Sequence, residues 1–163
     1  MAQRPTPPPT VPKPIVEVAI ALLYQDNQFL LQLRDDNPAI VYPGHWAFCG
    51  GHLEPGESAD VAVRRELMEE IAHVPEGLML FERSLTEGPE KTIIRNFYHG
   101  PLAVPLSSLA VNEGQELGLA SVAEIQRGDR FSQVLQQTRP IGPPHQAMLL
   151  KFIGMQANVS SDS

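Results

Sequence analysis

The 163-residue chain has one cysteine, Cys49, so it can form no internal disulfide, CxxC redox pair or cysteine-rich zinc site. A reducing, cytoplasmic setting is the expected one. No apolar run approaches the ~20 residues that span a bilayer, and prolines stand where a secretory signal would carry its apolar stretch. Positive charge is scarce, 12 Lys+Arg against 19 Asp+Glu for a net charge of -7, with no basic cluster of the kind that displaces counterions from a nucleic-acid backbone. Neither a membrane nor duplex nucleic acid is an expected partner. His45, His52, His73, His99 and His145 show no HExxH or similar zinc spacing and read as structural. What is present, 42% hydrophobic and 19% charged residues, is the composition of one globular domain with a continuous core.

Six of the sixteen prolines fall in residues 1–14, a segment without the donors or periodicity for helix or sheet, read as an extended, disordered tail. Ordered sequence begins at Ile15. IVEVAIALLY and FLLQLR flank the turn pair Asp26-Asn27 and predict a β-hairpin. Residues 35–45 form a loop, and WAFCGGHLE returns to extended structure. Ser58 caps a helix to about Ala72, and two further strands, 77–87 and 91–102, meet at Gly88-Pro89. A short helix around SVAEIQ and a C-terminal amphipathic helix entered through Pro143-Pro144 complete an α+β domain over 15–157, before a flexible end at 158–163.

The charge is concentrated on the helix beginning at Ser58. At ~100° per residue, Val63, Leu67, Ile71, Met68 and Val61 share an apolar arc, while Glu70, Glu66, Glu69 and Arg65 share an acidic one. Glu66 stacks on both Glu69 and Glu70, and such like-charge neighbours destabilise an isolated helix by a few tenths of a kcal/mol per pair. Ala62, within the acidic arc, reads as space left for an ion. An all-oxygen cluster suits Mg²⁺, or Mn²⁺ in its place, hard cations that also bind substrate phosphates. Upstream, Gly50 and Gly51 permit close backbone approach, and Glu57 can fold back to pair with Arg65, aiming rather than catalysing.

Gly51, Glu57, Arg65, Glu66, Leu67, Glu69 and Glu70 resemble the signature of the Nudix hydrolases, at that family's spacing throughout. The likeness departs only at its end, where Ala72 and His73 replace a glycine and an aliphatic residue. The resemblance implies a Nudix-type α/β/α sandwich with a mixed β-sheet over roughly 15–155. It implies that Glu66, Glu69 and Glu70, with the Gly50 carbonyl, hold one to three Mg²⁺ ions. Asn112-Glu113-Gly114-Gln115 looks like the loop of MutT-type members, in which Glu113 is a further metal ligand or the base; Glu116 is a nearby substitute. Glu66 or Glu113 would then take the proton from the attacking water.

The implied activity is a Mg-dependent pyrophosphohydrolase. Its substrate would be a nucleoside diphosphate linked to another moiety, such as ADP-ribose or a nucleotide sugar, or a nucleoside triphosphate, with a nucleoside monophosphate released. Arg34, Arg83, Lys91 and Arg95 are candidate phosphate or ribose contacts, against ordinary surface ion pairing. Trp46 and Phe48, two apart on one strand, could face a nucleobase, with core packing as the alternative. Marks of the NADH and coenzyme A pyrophosphatases are absent; Pro89, sixteen residues past His73, resembles a proline of ADP-ribose pyrophosphatases, although a hairpin turn also explains it. The partners expected are a nucleotide and, at most, a second copy of the chain. The competing class is a Nudix-fold sensor that binds a nucleotide without turnover, against which the intact charged signature argues. An isopentenyl diphosphate isomerase would need a reactive cysteine, a role in which Cys49 is less natural than small-residue packing.

Overall fold

A computed structural model describes residues 2–161. Residues 2–14 carry no helix or strand and are exposed; Met1 lies outside the described residues. The β-branched run Ile15–Gln25 forms β1, and Asp26 and Asn27, both with positive φ, turn it into β2, Gln28–Leu33. The extended segment at 46–54 divides at Phe48 into β3, Trp46–Ala47, which pairs with β2, and β4, Cys49–His52, which pairs with β1. α1 spans Ala59–Ile71, with the Ser58 hydroxyl accepting from the Val61 N–H as its cap. β5, Met79–Glu87, and β6, Thr92–Pro101, form the second hairpin, and β6 runs parallel to β1, which makes the sheet mixed.

Three elements lack a local signal in the sequence. β7, Glu116–Ser121, pairs with β2, and β8, Asp129–Ser132, with β9, Gln137–Pro140, forms a separate two-stranded ribbon. Between β7 and β8 lies α2, Val122–Arg127, closed at its start by a reciprocal Ser121–Glu124 capping box. α3 runs Pro143–Ser161, so residues 158–161, expected to be a flexible end, are helical; Asp162 and Ser163 lie outside the described residues.

The two-residue period of the strands sorts side chains between two layers. Ala19, Ala21, Leu23, Leu30, Cys49 and Tyr98 pack against Ala62, Val63, Leu67 and Ile71 of α1. Leu22, Phe29, Leu31, Leu33, Trp46 and Phe97 pack on the other face with Ile125 of α2 and Leu149 and Phe152 of α3. The result is the expected α/β/α sandwich. Two details of the helical-wheel reading are corrected by this packing. Val61 and Met68 are each 54% exposed, because the sheet covers a narrower stripe of α1 than the wheel assigned. Ala62 is fully buried against the sheet, so its small side chain permits close helix–sheet approach and leaves no space for an ion.

Candidate active site

Sheet and helix meet closely at β4. A Cβ on Gly50, whose φ is +144°, would lie 2.3 Å from the Ala19 carbonyl oxygen, and one on Gly51 would lie 2.5 Å from the Glu66 carboxyl. The bare backbone admits the acidic face of α1, and the Gly50 N–H donates to Glu70 Oε2 at 3.0 Å. The turn 112–115 closes over the end of α1: the Asn112 N–H donates to the Glu70 carbonyl and its side-chain amide to the Glu69 carbonyl, each at 3.0 Å. Buried Gln32 donates to the Glu113 carbonyl at 2.8 Å, and Gly114, φ +74°, passes where a Cβ would lie 2.5 Å from the Leu33 carbonyl oxygen. These contacts bring one carboxylate oxygen from each of Glu66, Glu70 and Glu113 within 4.8 Å of one another.

Glu70 is the buried member, at 3% exposure. Burial first, then its hydrogen bond with Glu113 and that group's charge, pushes its carboxyl up to about 9 despite the bond from Gly50. Burial also raises Glu66, partly opposed by Arg65. Three carboxylates in this space therefore hold a proton unless a cation replaces it. Glu69 stands apart: its side chain is 58% exposed and lies 3.3 Å from Arg65, outside the trio.

Arg65 organises the rim. Its Nε and Nη2 donate to the two oxygens of Glu57 at 2.8 and 2.9 Å, Nη2 also to the His52 carbonyl at 3.1 Å, and Nη1 to Glu66 at 3.0 Å. The hydrogen bonds from Arg65 hold Glu57 down to about 2. Glu57 and Arg65 are thus paired, with Glu57 folded back across the eight residues that separate them. Ala72 ends α1 in the left-handed region, φ 55° and ψ 32°, with its N–H donating to the Met68 carbonyl at 3.1 Å. The turn after the signature is thus kept with an alanine in a conformation that favours glycine.

Arg34 lies beside the cluster and lines three adjoining cavities, one reaching Glu113, one Gly50 and Gly51, and one Arg95. Its Nε is buried with no hydrogen-bond partner among the described residues. Arg95 lines the third cavity and donates to Thr86 Oγ1 at 3.2 Å. Arg83 instead faces Glu17 at 3.7 Å, and Lys91 lies in the turn between β5 and β6. Trp46 is not a base platform: it is fully buried, and its indole N–H donates to the Arg130 carbonyl at 3.1 Å. Phe48, outside both β3 and β4, is buried but borders a cavity beside His145. Glu116 is excluded as a ligand, because it accepts from the Ser132 hydroxyl and from the N–H groups of Gln133 and Val134, capping the β8–β9 turn. Cys49 is buried, and burial followed by the neighbouring Glu70 pushes its thiol up, the reverse of an activated cysteine. Gln32 carries no motif, Asn112 enters the sequence only as part of the loop pattern around Glu113, and His145 reads there as structural; their long-range hydrogen bonds place them at the site.

Comparison with known proteins agrees with this geometry. Residues 13–138 match the family model of the NUDIX domain. Nucleoside triphosphatase NudI of Escherichia coli (strain K12 / DH10B) is 41% identical over 66 residues, covering 40% of this chain and 43% of that protein. The chain spans about two-fifths of the length of the curated relatives it matches. In structure, the E. coli ORF135 protein aligns with a TM-score of 0.63 at 26% identity, covering 90% of this chain and 94% of that one. The NUDIX domain of Shewanella oneidensis NrtR, complexed with ADP ribose, aligns with a TM-score of 0.65 at 15% identity over 90% of each chain. The signature glutamates, the sandwich that positions them and a family match over most of the chain establish that this protein belongs to the NUDIX domain family.

Proposed function

We propose that this chain is a Mg²⁺-dependent pyrophosphohydrolase, with Mn²⁺ as an alternative ion. Its substrate is a nucleoside triphosphate or a nucleoside diphosphate linked to another moiety, and it releases a nucleoside monophosphate. The observation that carries the reading is the trio Glu66, Glu70 and Glu113, in which a buried acid that would otherwise keep its proton shares a 4.8 Å space with two more carboxylates. That donor set is all oxygen, as a hard divalent cation requires. Glu66, Glu70 and Glu113 would hold the ion, with Glu69 and the Gly50 carbonyl at its margin. When bound, the cation supplies neutralisation of the phosphate oxygens and a more acidic water.

The chain's own residues supply orientation and proton transfer. Arg65 fixes Glu66 against Glu57 and the His52 carbonyl, so the carboxylate does not need to be ordered during reaction. Glu113, the exposed member, or Glu66 accepts the proton of the attacking water. Arg34, with a buried unpartnered Nε beside the cluster, is suited to a phosphate of the substrate. Similarity to NudI supports the triphosphate arm, and the neighbour complexed with ADP ribose supports the linked-diphosphate arm. No helix among the described residues is long and apolar enough to cross a membrane, and the single buried thiol suits the proposed cytoplasmic setting.

The test is release of nucleoside monophosphate from nucleoside triphosphates, ADP-ribose, nucleotide sugars and dinucleoside polyphosphates, with Mg²⁺ and with EDTA. Turnover of at least one member, abolished by EDTA, is expected. Tight binding of one member with no turnover of any would replace the hydrolase reading with a nucleotide sensor.

A further inference from the structure

Across the bare backbone of Gly50 and Gly51, on the α3 side of the sheet, lies a cavity of about 280 Å³. It sits at the small end of ligand sites, enough for one ring system. Ile20, Phe97 and Pro144 give it apolar walls, and a smaller cavity of about 150 Å³, sharing Ile20, Arg34 and His145 with it, leads to Gly50 and Gly51. A nucleotide with its phosphates beside the glutamates can therefore place its base here.

The polar lining of this cavity has a consistent sense. Arg34 and Arg95 are donors only, and among the described residues no carboxylate lines the cavity. The Phe48 N–H donates to His145 Nδ1 at 3.3 Å, so the proton of the neutral ring is on Nε2 and that edge is also a donor. Burial, reinforced by Arg34, Arg95 and His45, holds the ring down to about 4, which keeps it neutral near pH 7. The ring is fixed in place: a Cβ on Gly142 would lie 2.7 Å from its Cδ2, and the Phe48 ring packs against it at 5.2 Å. Tyr42 and His52, which can donate or accept, complete the rim.

We propose that this cavity selects the oxo-bearing edge of a nucleobase over the amino-bearing edge, with Arg95 and His145 as the specificity-determining residues. The inference deepens the hydrolase reading and rests on it for the placement of the phosphates. An exocyclic amino group turned to this lining would set N–H against N–H and leave the Arg95 and His145 donors desolvated and unpaired, whereas a carbonyl oxygen satisfies them.

Matched nucleotides test it: ITP against ATP and UTP against CTP for turnover with Mg²⁺, and IMP against AMP and UMP against CMP for binding by calorimetry. The oxo member of each pair should be favoured at least about tenfold in kcat/KM and in affinity. In Arg95→Met and His145→Phe the ratio should fall toward one, a readout that does not depend on how much of each variant is folded. Turnover of both members at ratios within about twofold of one, or wild-type ratios in both variants, would overturn the selectivity while leaving the hydrolase intact. Binding preference with no turnover of these triphosphates, ADP-ribose, nucleotide sugars or dinucleoside polyphosphates would do the reverse, and preference in neither assay would overturn the proposal outright.

Discussion

Replacing Ala72 by glycine should stabilise the protein, although it removes a side chain and adds chain freedom. Ala72 is an exposed residue at φ 55°, ψ 32° at the C-terminus of α1, so loss of its methyl group uncovers little apolar surface. An L-residue in the left-handed region costs about 1–2 kcal/mol, a cost that glycine avoids. Against this, the unfolded chain gains freedom worth about 0.4–1 kcal/mol. The balance is a net gain of about 0.5–1 kcal/mol, or a rise in Tm of about 1–4 °C for a domain of this size. Urea denaturation in EDTA measures it, with an unchanged m-value showing that the denatured state is comparable. A drop in stability of about 1 kcal/mol, the effect of glycine inside a helix, would refute the claim that the signature's turn is held under strain here.

Other perturbations separate the parts of the site. Gly51→Ala should weaken Mn²⁺ binding and lower kcat at least about tenfold with little change in Tm, because the new Cβ would lie 2.5 Å from the Glu66 carboxyl; unchanged Mn²⁺ affinity would count against that contact. Glu70→Gln should lower kcat at least about tenfold and more than Glu69→Gln, since Glu69 stands outside the trio; equal losses in steady-state assays would return Glu69 to the ion. Arg65→Lys should lower kcat more than it raises KM, because an ammonium cannot serve Glu57, Glu66 and the His52 carbonyl together. The raised Glu70 carboxyl also sets a pH dependence. Its contribution to metal-free stability is fully present below the ordinary carboxylate range, about 4.5, and is lost as pH rises through about 9. Tm measured against pH in EDTA should fall over that window in the wild type and less in Glu70→Gln.

Local pattern carried the reading wherever the local signal was strong. Asp26-Asn27 between two apolar runs specified the first hairpin, and Ser58 with the spacing of Val63, Leu67 and Ile71 specified α1 and its buried stripe. The same spacing could not show that Ala62 faces the sheet or that Met68 faces solvent, because the width of the covered stripe depends on the partner surface. β7 begins at Glu116 and is rich in small residues, and its place is set by β2 and by the turn that Glu116 caps. Trp46 had the alternation of a platform residue, but only the fold turned it to the α3 core under Arg130. Of the site, the Glu57–Arg65 pairing and the α1 glutamates follow from helical spacing and family likeness. The approach of Glu113 depends on contacts from Gln32 and the α1 terminus that no local pattern contains.

The most direct test of the central claim is calorimetric titration of Mn²⁺ into the metal-free protein at pH 7 in buffers of different ionisation enthalpy. A trio holding a proton on Glu70 predicts saturable binding with proton release, and loss of both in Glu70→Gln. Absence of binding in the wild type, or binding with the same affinity and proton count after Glu66, Glu70 and Glu113 are each changed to glutamine, would contradict it.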